Sequence, residues 1–224
     1  MYKISITPEE IDKLELVSFP GKIKVIDSVG LEFLSAVRYL KRQRIIGFDT
    51  ESRPTFSPDQ PHYGVSLLQL SGAEKAFLFR IKLMGGIPKP LRSILSNEGI
   101  IKVGAAVNDD VRGLERHHDF TPRGFVDLQK IVWEYGIKDK AVKKMAAIIL
   151  GIKISKTQQL SNWEAETLSD AQQAYAATDA WVCREMYLKL KSSKKHPLTP
   201  EQMMPNPPKN QAKNDKDNTQ EGQG

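Results

Sequence analysis

Arg44-Ile45-Ile46-Gly47-Phe48-Asp49-Thr50-Glu51-Ser52 is the stretch on which the reading of this chain turns. It begins as a buried strand should, with Ile45, Ile46 and Phe48, and then runs into two acids. On a strand, Asp49 and Glu51 stand two residues apart and project from the same face. Two carboxylates that close repel each other and pull one pKa upward. Folding alone has no use for this at the end of an apolar strand. A divalent cation would resolve it, because hard cations prefer clustered oxygen ligands. The plain alternative is a strand end that has reached water, with both acids hydrated.

Working outward, the neighbouring segments define an α/β chain. Thr7-Pro8-Glu9-Glu10 has the form of a helix start, with a Thr cap, Pro at the first helical position and Glu three residues after the cap. Residues 22–27 fit a short strand and 29–42 a helix, with Phe33, Ala36, Val37 and Leu40 on one apolar face. Strands fit 64–71 and 75–81, joined by a hairpin around Ser71-Gly72-Ala73-Glu74. A helix near 88–96 precedes an apolar strand at 100–107, and helices follow at 108–118, 127–135 and 140–150. Residues 125–128 fit a short last strand, and the final helix runs over 170–191. Three adjacent strands, then strands alternating with helices, predict a mixed central sheet flanked by helices.

The final helix carries the second anomaly. Ser169-Asp170-Ala171-Gln172 resembles a capping box. Beyond it, Tyr175, Asp179, Val182, Met186 and Leu190 fall on one helical stripe. Four of these suit a core, and Asp179 does not. An ionised carboxylate on a buried stripe costs several kcal/mol unless it is paired or bound to metal. A salt bridge to Arg44 or Arg80 would be the structural explanation. Tyr175, one turn earlier, would set its hydroxyl beside the same place. The third cluster is Val107-Asn108-Asp109-Asp110-Val111, at a strand-to-helix junction. Asn108 would serve as a helix cap, and acids in a first turn complement the helix dipole.

Taken together, three motifs resemble the DEDD 3′-5′ exonucleases. They read Phe48-Asp49-Thr50-Glu51, Asp110-Val111-Arg112-Gly113-Leu114 and Tyr175-Ala176-Ala177-Thr178-Asp179-Ala180. The Tyr places the chain nearest the DEDDy subgroup, which includes ribonuclease D, the Werner syndrome exonuclease domain and polymerase proofreading domains. Leu160-Ser161-Asn162-Trp163-Glu164-Ala165 and Leu168-Ser169 look especially like the Werner and ribonuclease D branch. The other subgroup carries His five residues before the last Asp, where this chain has Ala174. The resemblance also selects Asp110 over Asp109, because Leu114 follows it at the family's interval.

The resemblance implies a ribonuclease H-like fold and a defined chemistry. Asp49, Glu51, Asp110 and Asp179 would hold two Mg²⁺ or Mn²⁺ ions at the 3′-terminal phosphodiester of DNA or RNA. Two metals about 3.5–4 Å apart fit an in-line displacement. Tyr175 would orient the attacking water, since a phenol with a pKa of about 10 is no ready base. The product would be a nucleoside 5′-monophosphate. Lys156 and Trp163 are candidates for the nucleic-acid channel, Lys156 on phosphate and Trp163 by stacking, with a purely structural Trp as the alternative. Lys138, Lys140, Lys143, Lys144 and Lys153 would extend a basic rim or form a solvated helix face. The competing function is a catalytically silent nucleic-acid-binding module on the same fold. A nucleotide-binding protein of another kind lacks its phosphate cradle here, because neither G-x-G-x-x-G nor G-x-x-x-x-G-K-[ST] occurs.

Composition agrees and adds limits. The 33 Lys and Arg against 27 Asp and Glu give a net charge of +6, compatible with an anionic partner. The one cysteine, Cys183, rules out an intramolecular disulfide. No apolar run approaches the roughly 18 residues of a membrane span. The first residues reach acids too soon for a secretory signal, so the expectation is a reducing compartment, the cytoplasm or a eukaryotic nucleus. Residues 1–191 read as one catalytic domain. Residues 192–224, with five of the 13 prolines and no aromatic side chain, read as a disordered polar tail.

Overall fold

A computed structural model describes residues 1–57 and 63–204. In chain order its elements are α1 (Pro8–Asp12), β1 (Lys22–Ile26), α2 (Leu31–Lys41), β2 (Ile45–Ser52), β3 (Val65–Ser71) and β4 (Lys75–Arg80). Then come α3 (Lys89–Leu95), β5 (Ile101–Gly104), α4 (Val107–Glu115), β6 (Phe125–Asp127) and α5 (Leu128–Ile131). A 3₁₀ turn (Val132–Tyr135), α6 (Val142–Leu150), α7 (Asp170–Lys191) and α8 (Pro200–Met203) complete it. No helix among the described residues is long and apolar enough to cross a membrane.

The six strands form one sheet in the order β1-β4-β3-β2-β5-β6. β3 is antiparallel to both β2 and β4, and the other pairs are parallel. This is the mixed α/β sheet that the strand pattern predicts. β2 lies inside it, paired with β3 on one side and β5 on the other.

Each face of the sheet has its own core. On one face, Phe33, Ala36, Val37 and Leu40 of α2 pack with Leu91, Ile94 and Leu95 of α3 and Val107, Val111 and Leu114 of α4. They cover Phe48, Leu68, Leu70, Phe77 and Phe79 of the strands. On the other, α6 and α7 bring Met145, Ala146, Ile149, Val182, Cys183, Met186 and Leu190 against Val103. Covered on both sides, β3 and β4 are buried almost end to end, as interior strands are when helices flank both faces.

Three boundaries depart from the sequence reading. The strand expected over 100–107 stops at Gly104. Ala106 then takes a left-handed turn with φ +57°, and α4 starts at Val107. Ala106 therefore occupies the cap position, its side chain makes no cap bond, and Asn108 lies inside the first turn. Residues 127–135 divide into α5 and the 3₁₀ turn. The chain also stays against the domain after Lys191. The His196 N–H donates to the Glu134 carbonyl at 2.9 Å, the Leu198 N–H donates to Trp133 at 2.9 Å, and Leu198 is buried. One apolar anchor in a polar, proline-rich stretch is enough to hold it. The rest of the expected tail, 205–224, lies outside the described residues.

Candidate active site

The acid-bearing half of β2 has one free edge. Its pairing with β5 ends at Gly47 opposite Val103, while its pairing with β3 continues to Ser52. A register shift between Glu51 and Ser52 marks a bulge or irregularity there, a feature common beside active sites. Phe48 packs toward the α4 face, so Asp49 and Glu51 project to the α7 face.

Helix α7 crosses directly over this spot. A Cβ on Gly47 would lie 1.7 Å from the Ala180 carbonyl oxygen, so only glycine lets the helix come this close. The contact sets Asp179, one residue earlier, above Asp49 and Glu51. The capping box at Ser169 and Gln172 forms as the sequence suggests. Every residue of the predicted stripe, Tyr175, Asp179, Val182, Met186 and Leu190, is buried. Asp49, Glu51 and Asp179 each offer a carboxylate oxygen, and these lie within 4.8 Å of one another.

Neither structural alternative accounts for these acids. Asp179 has no ion pair among the described residues. Arg80 is committed elsewhere, to the carbonyls of Ala165 and Glu166, and Arg44 lies exposed. Nor do Asp49 and Glu51 emerge into water, since both are at most partly exposed.

Asp110, in the first turn of α4, stands beside β2 but outside the group of three carboxylates that lie within 4.8 Å of one another. Its Oδ1 accepts a hydrogen bond from Thr50 Oγ1 at 2.6 Å. Its neighbour Asp109 points outward, 3.9 Å from Arg112 with both side chains exposed. The two adjacent acids thus face different surroundings, Asp110 toward β2 and Asp109 toward solvent.

Burial is the first cause of the electrostatics of these carboxylates, and for Asp49 and Glu51 their neighbours' charges add to it. Burial, then Asp179, Asp110 and Glu51 in turn, drives the Asp49 carboxyl well above the usual range. Burial and the charges of Asp179 and Asp110 push Glu51 up to about 9. Asp110 is raised to about 6 chiefly by burial, against the Thr50 hydrogen bond. Asp179 is also raised to about 6 by burial, against a hydrogen bond from Tyr175 and the charge of Lys156. The Tyr175 hydroxyl is itself pushed far upward by burial and by Asp179, so it stays protonated. A divalent cation is the hard, compact positive charge that this oxygen set fits.

The acids open into a cleft of about 340 Å³ lined by Asp49, Thr50, Glu51, Tyr175 and Asp179 on one side. Ala141, Val142, Lys143, Ile154, Lys156 and Gln159 complete its lining. A sequence model described as 3′-5′ exonuclease matches residues 30–194, a span that contains the acids and this cleft. The chain belongs to the 3′-5′ exonuclease family. It is 34% identical over 150 residues to the exonuclease 3′-5′ domain-containing protein 2 of Drosophila melanogaster, covering 66% of this chain and 25% of that protein. It is 31% identical over 188 residues to the bifunctional 3′-5′ exonuclease/ATP-dependent helicase WRN of Mus musculus, covering 80% of this chain and 13% of that protein. The chain therefore spans a quarter or less of the length of these relatives. Among solved structures, the Aedes aegypti Nibbler EXO domain superposes with a TM-score of 0.67 at 22% identity, covering 78% of this chain and 91% of that one. This likeness confirms the fold.

Within this exonuclease-family site, the remaining expectations divide. Lys156 is exposed and lines the cleft, as does Lys143. Lys144 is paired with Asp139 at 2.8 Å and Lys153 with Asp12 at 2.7 Å, so these serve the scaffold. Trp163 is a correction. It is 1% exposed and packed with Leu67, Leu78, Leu168 and Ala176, its ring 5.9 Å from that of Tyr175. A ring buried this way has no face for a base, and its contact is with Tyr175 instead. Three contributors escape the sequence reading. Gly47 admits α7, Thr50 holds Asp110, and Gln69 lies in register opposite Asp49 with its side-chain amide fully buried. A glycine inside an apolar strand signals close backbone approach, and Gln69 is the one large polar side chain in the buried run Val65-Ser66-Leu67-Leu68-Gln69-Leu70.

Proposed function

We propose that this chain is a metal-dependent 3′-5′ exonuclease that removes nucleoside 5′-monophosphates from the 3′ end of DNA or RNA. The observation that carries the reading is the convergence of Asp49, Glu51 and Asp179 within 4.8 Å, Asp179 buried and the other two partly so, with no ion pair to any of them among the described residues. Family membership and the relatives' names support the direction and class of the reaction.

In this reading Asp49, Glu51, Asp110 and Asp179 would hold two Mg²⁺ or Mn²⁺ ions. Bound divalent ions in such sites lower the pKa of water and neutralise charge gathering at phosphorus. The chain's own residues do the rest. Asp49 and Glu51 are fixed by strand pairing with β3, and Asp179 by the α7 crossing. Tyr175 keeps its proton and offers a hydroxyl that orients the attacking water, a positioning role. Lys143 and Lys156 give the cleft a positive wall for the backbone phosphates. The setting we propose is an intracellular, nucleic-acid-rich compartment, cytoplasmic or nuclear. The catalytic unit we propose is residues 1–191, with 192–204 docked on it.

Matched 3′-labelled DNA and RNA, single- and double-stranded, test this with Mg²⁺ or Mn²⁺ and with EDTA. Mononucleotides should be released from the 3′ end only with metal, and Asp49→Asn should abolish release while leaving the circular dichroism unchanged. Metal-independent release, or full turnover by Asp49→Asn, would refute the reading. The four substrates also decide between sugars and strandedness.

A further inference from the structure

Gln69 occupies the middle of β3, directly across from Asp49 in the antiparallel register. Residues opposed in this way share a face, with Cβ atoms about 4.5–5.5 Å apart. On its other side Gln69 faces Leu78 of β4. The side chain is completely buried, and neither Nε2 nor Oε1 has a hydrogen-bond partner among the described residues. Buried amides are normally satisfied, and one that is not asks for an explanation. Packing does not supply it. Leu67, Leu68 and Leu70 fill the neighbouring positions of the same strand, and an apolar residue would suit this place better.

The register sets Asp49 opposite this amide, although the two are not hydrogen-bonded in the structure. A carboxylate that binds a cation through one oxygen is oriented by a donor on the other, and such supporting donors matter nearly as much as the ligands. A glutamine amide provides that donor without bringing a charge that would compete with the cation, as Lys or Arg would. We infer that Gln69 is a positioning residue for Asp49: its Nε2, unbonded in the structure, would turn to donate to the Asp49 carboxylate when a cation binds, so that the other oxygen faces the metal. The inference rests on the metal-dependent reading given above.

The test is the rise in melting temperature on titration with Mg²⁺ or Mn²⁺, read without substrate. Gln69→Met keeps length and apolar volume but removes both amide atoms. It should raise the half-saturating metal concentration at least tenfold, while the metal-free melting temperature stays equal or rises. Gln69→Asn keeps the amide on a shorter stem and should show a smaller loss. In an Asp49→Asn background, Gln69→Met should cause no further loss of metal response. With metal at saturation, the Met variant should recover kcat with an unchanged KM for the nucleic acid. A Met variant that half-saturates within twofold of wild type overturns the inference, and a lower metal-free melting temperature with unchanged affinity would do the same by revealing a packing role. A wild-type protein that responds to neither ion would refute the metal-dependent reading itself.

Discussion

Asp179→Asn should make the metal-free protein more stable at neutral and alkaline pH. Asp179 is 9% exposed, and burial lifts its carboxyl from 3.8 to about 6. A carboxyl whose pKa is raised in the folded state stabilises nothing when ionised. Its cost is absent below the unfolded value near 4, grows as the pH rises, and is complete above about 6. The interval from 3.8 to about 6 corresponds to about 3 kcal/mol at full ionisation. Asn carries no charge and its carbonyl still accepts from the Tyr175 hydroxyl, but its amide must be desolvated, which leaves a gain of about 1–3 kcal/mol. The change should also relieve Asp49 and Glu51, both of which Asp179 pushes upward. At roughly 2–4 °C per kcal/mol for a domain of this size, the melting temperature in EDTA should rise by roughly 2–12 °C at pH 8.

The assay is thermal unfolding of both proteins in EDTA at pH 8 and pH 4, then at pH 8 with a divalent ion. The advantage of Asn should fade at pH 4, where the wild-type carboxyl is protonated in the folded state. With metal at 100 times its Kd, the wild type should gain about 2.7 kcal/mol and the variant much less, so the order of stability should close or reverse. An Asn variant no more stable than wild type at pH 8, or an advantage undiminished at pH 4, would refute the electrostatic account of the site.

Other changes separate scaffold from chemistry. Gly47→Ala puts a methyl 1.7 Å from the Ala180 carbonyl oxygen, so we expect a loss of about 3 kcal/mol or more in urea unfolding together with loss of metal response. Tyr175→Phe keeps the ring packed against Trp163 and Leu67 but removes the hydroxyl. Single-turnover rates should fall about 100-fold with substrate affinity and melting temperature little changed. Trp163→Ala removes a buried ring and should cost about 3–5 kcal/mol in urea unfolding. Trp163→Phe should restore most of that stability, and fluorescence anisotropy should show single-stranded DNA binding unaltered in the Phe variant.

Periodicity made the principal elements of the site legible in the sequence. The alternation of β2 put Asp49 and Glu51 on one face, and the spacing of α7 put Asp179 and Tyr175 on a stripe that proves buried throughout. What the sequence hid depends on contacts between distant segments. The end of β5 at Gly104 follows from the left-handed turn at Ala106, a conformation no local propensity favours for alanine. Trp163 precedes the capping box of α7 in a polar loop, and only the tertiary fold decides that its ring turns inward onto Leu67 and Leu78. Leu198 was lost in a proline-rich background because one buried side chain leaves no pattern.

The same packing explains why the repulsion among the acids persists. On the 3.6-residue period of α7, rotation would carry Asp179 toward water and relieve its desolvation. Both flanks of the stripe oppose that rotation. Toward the N-terminus, Tyr175 and Ala176 are locked among Leu67, Leu78, Trp163 and Leu168. Toward the C-terminus, Val182, Met186 and Leu190 are buried against α6 and the sheet. Turning the helix by one position would expose these large side chains to hydrate one carboxylate, at about 1.5–3 kcal/mol for each large apolar group. Sliding the helix away from β2 would give up the close contact at Gly47 and open the same core. Asp179 is therefore held beside Asp49 and Glu51 by apolar burial that outweighs their mutual repulsion. A cation entering the cleft would meet these three carboxylates already in place.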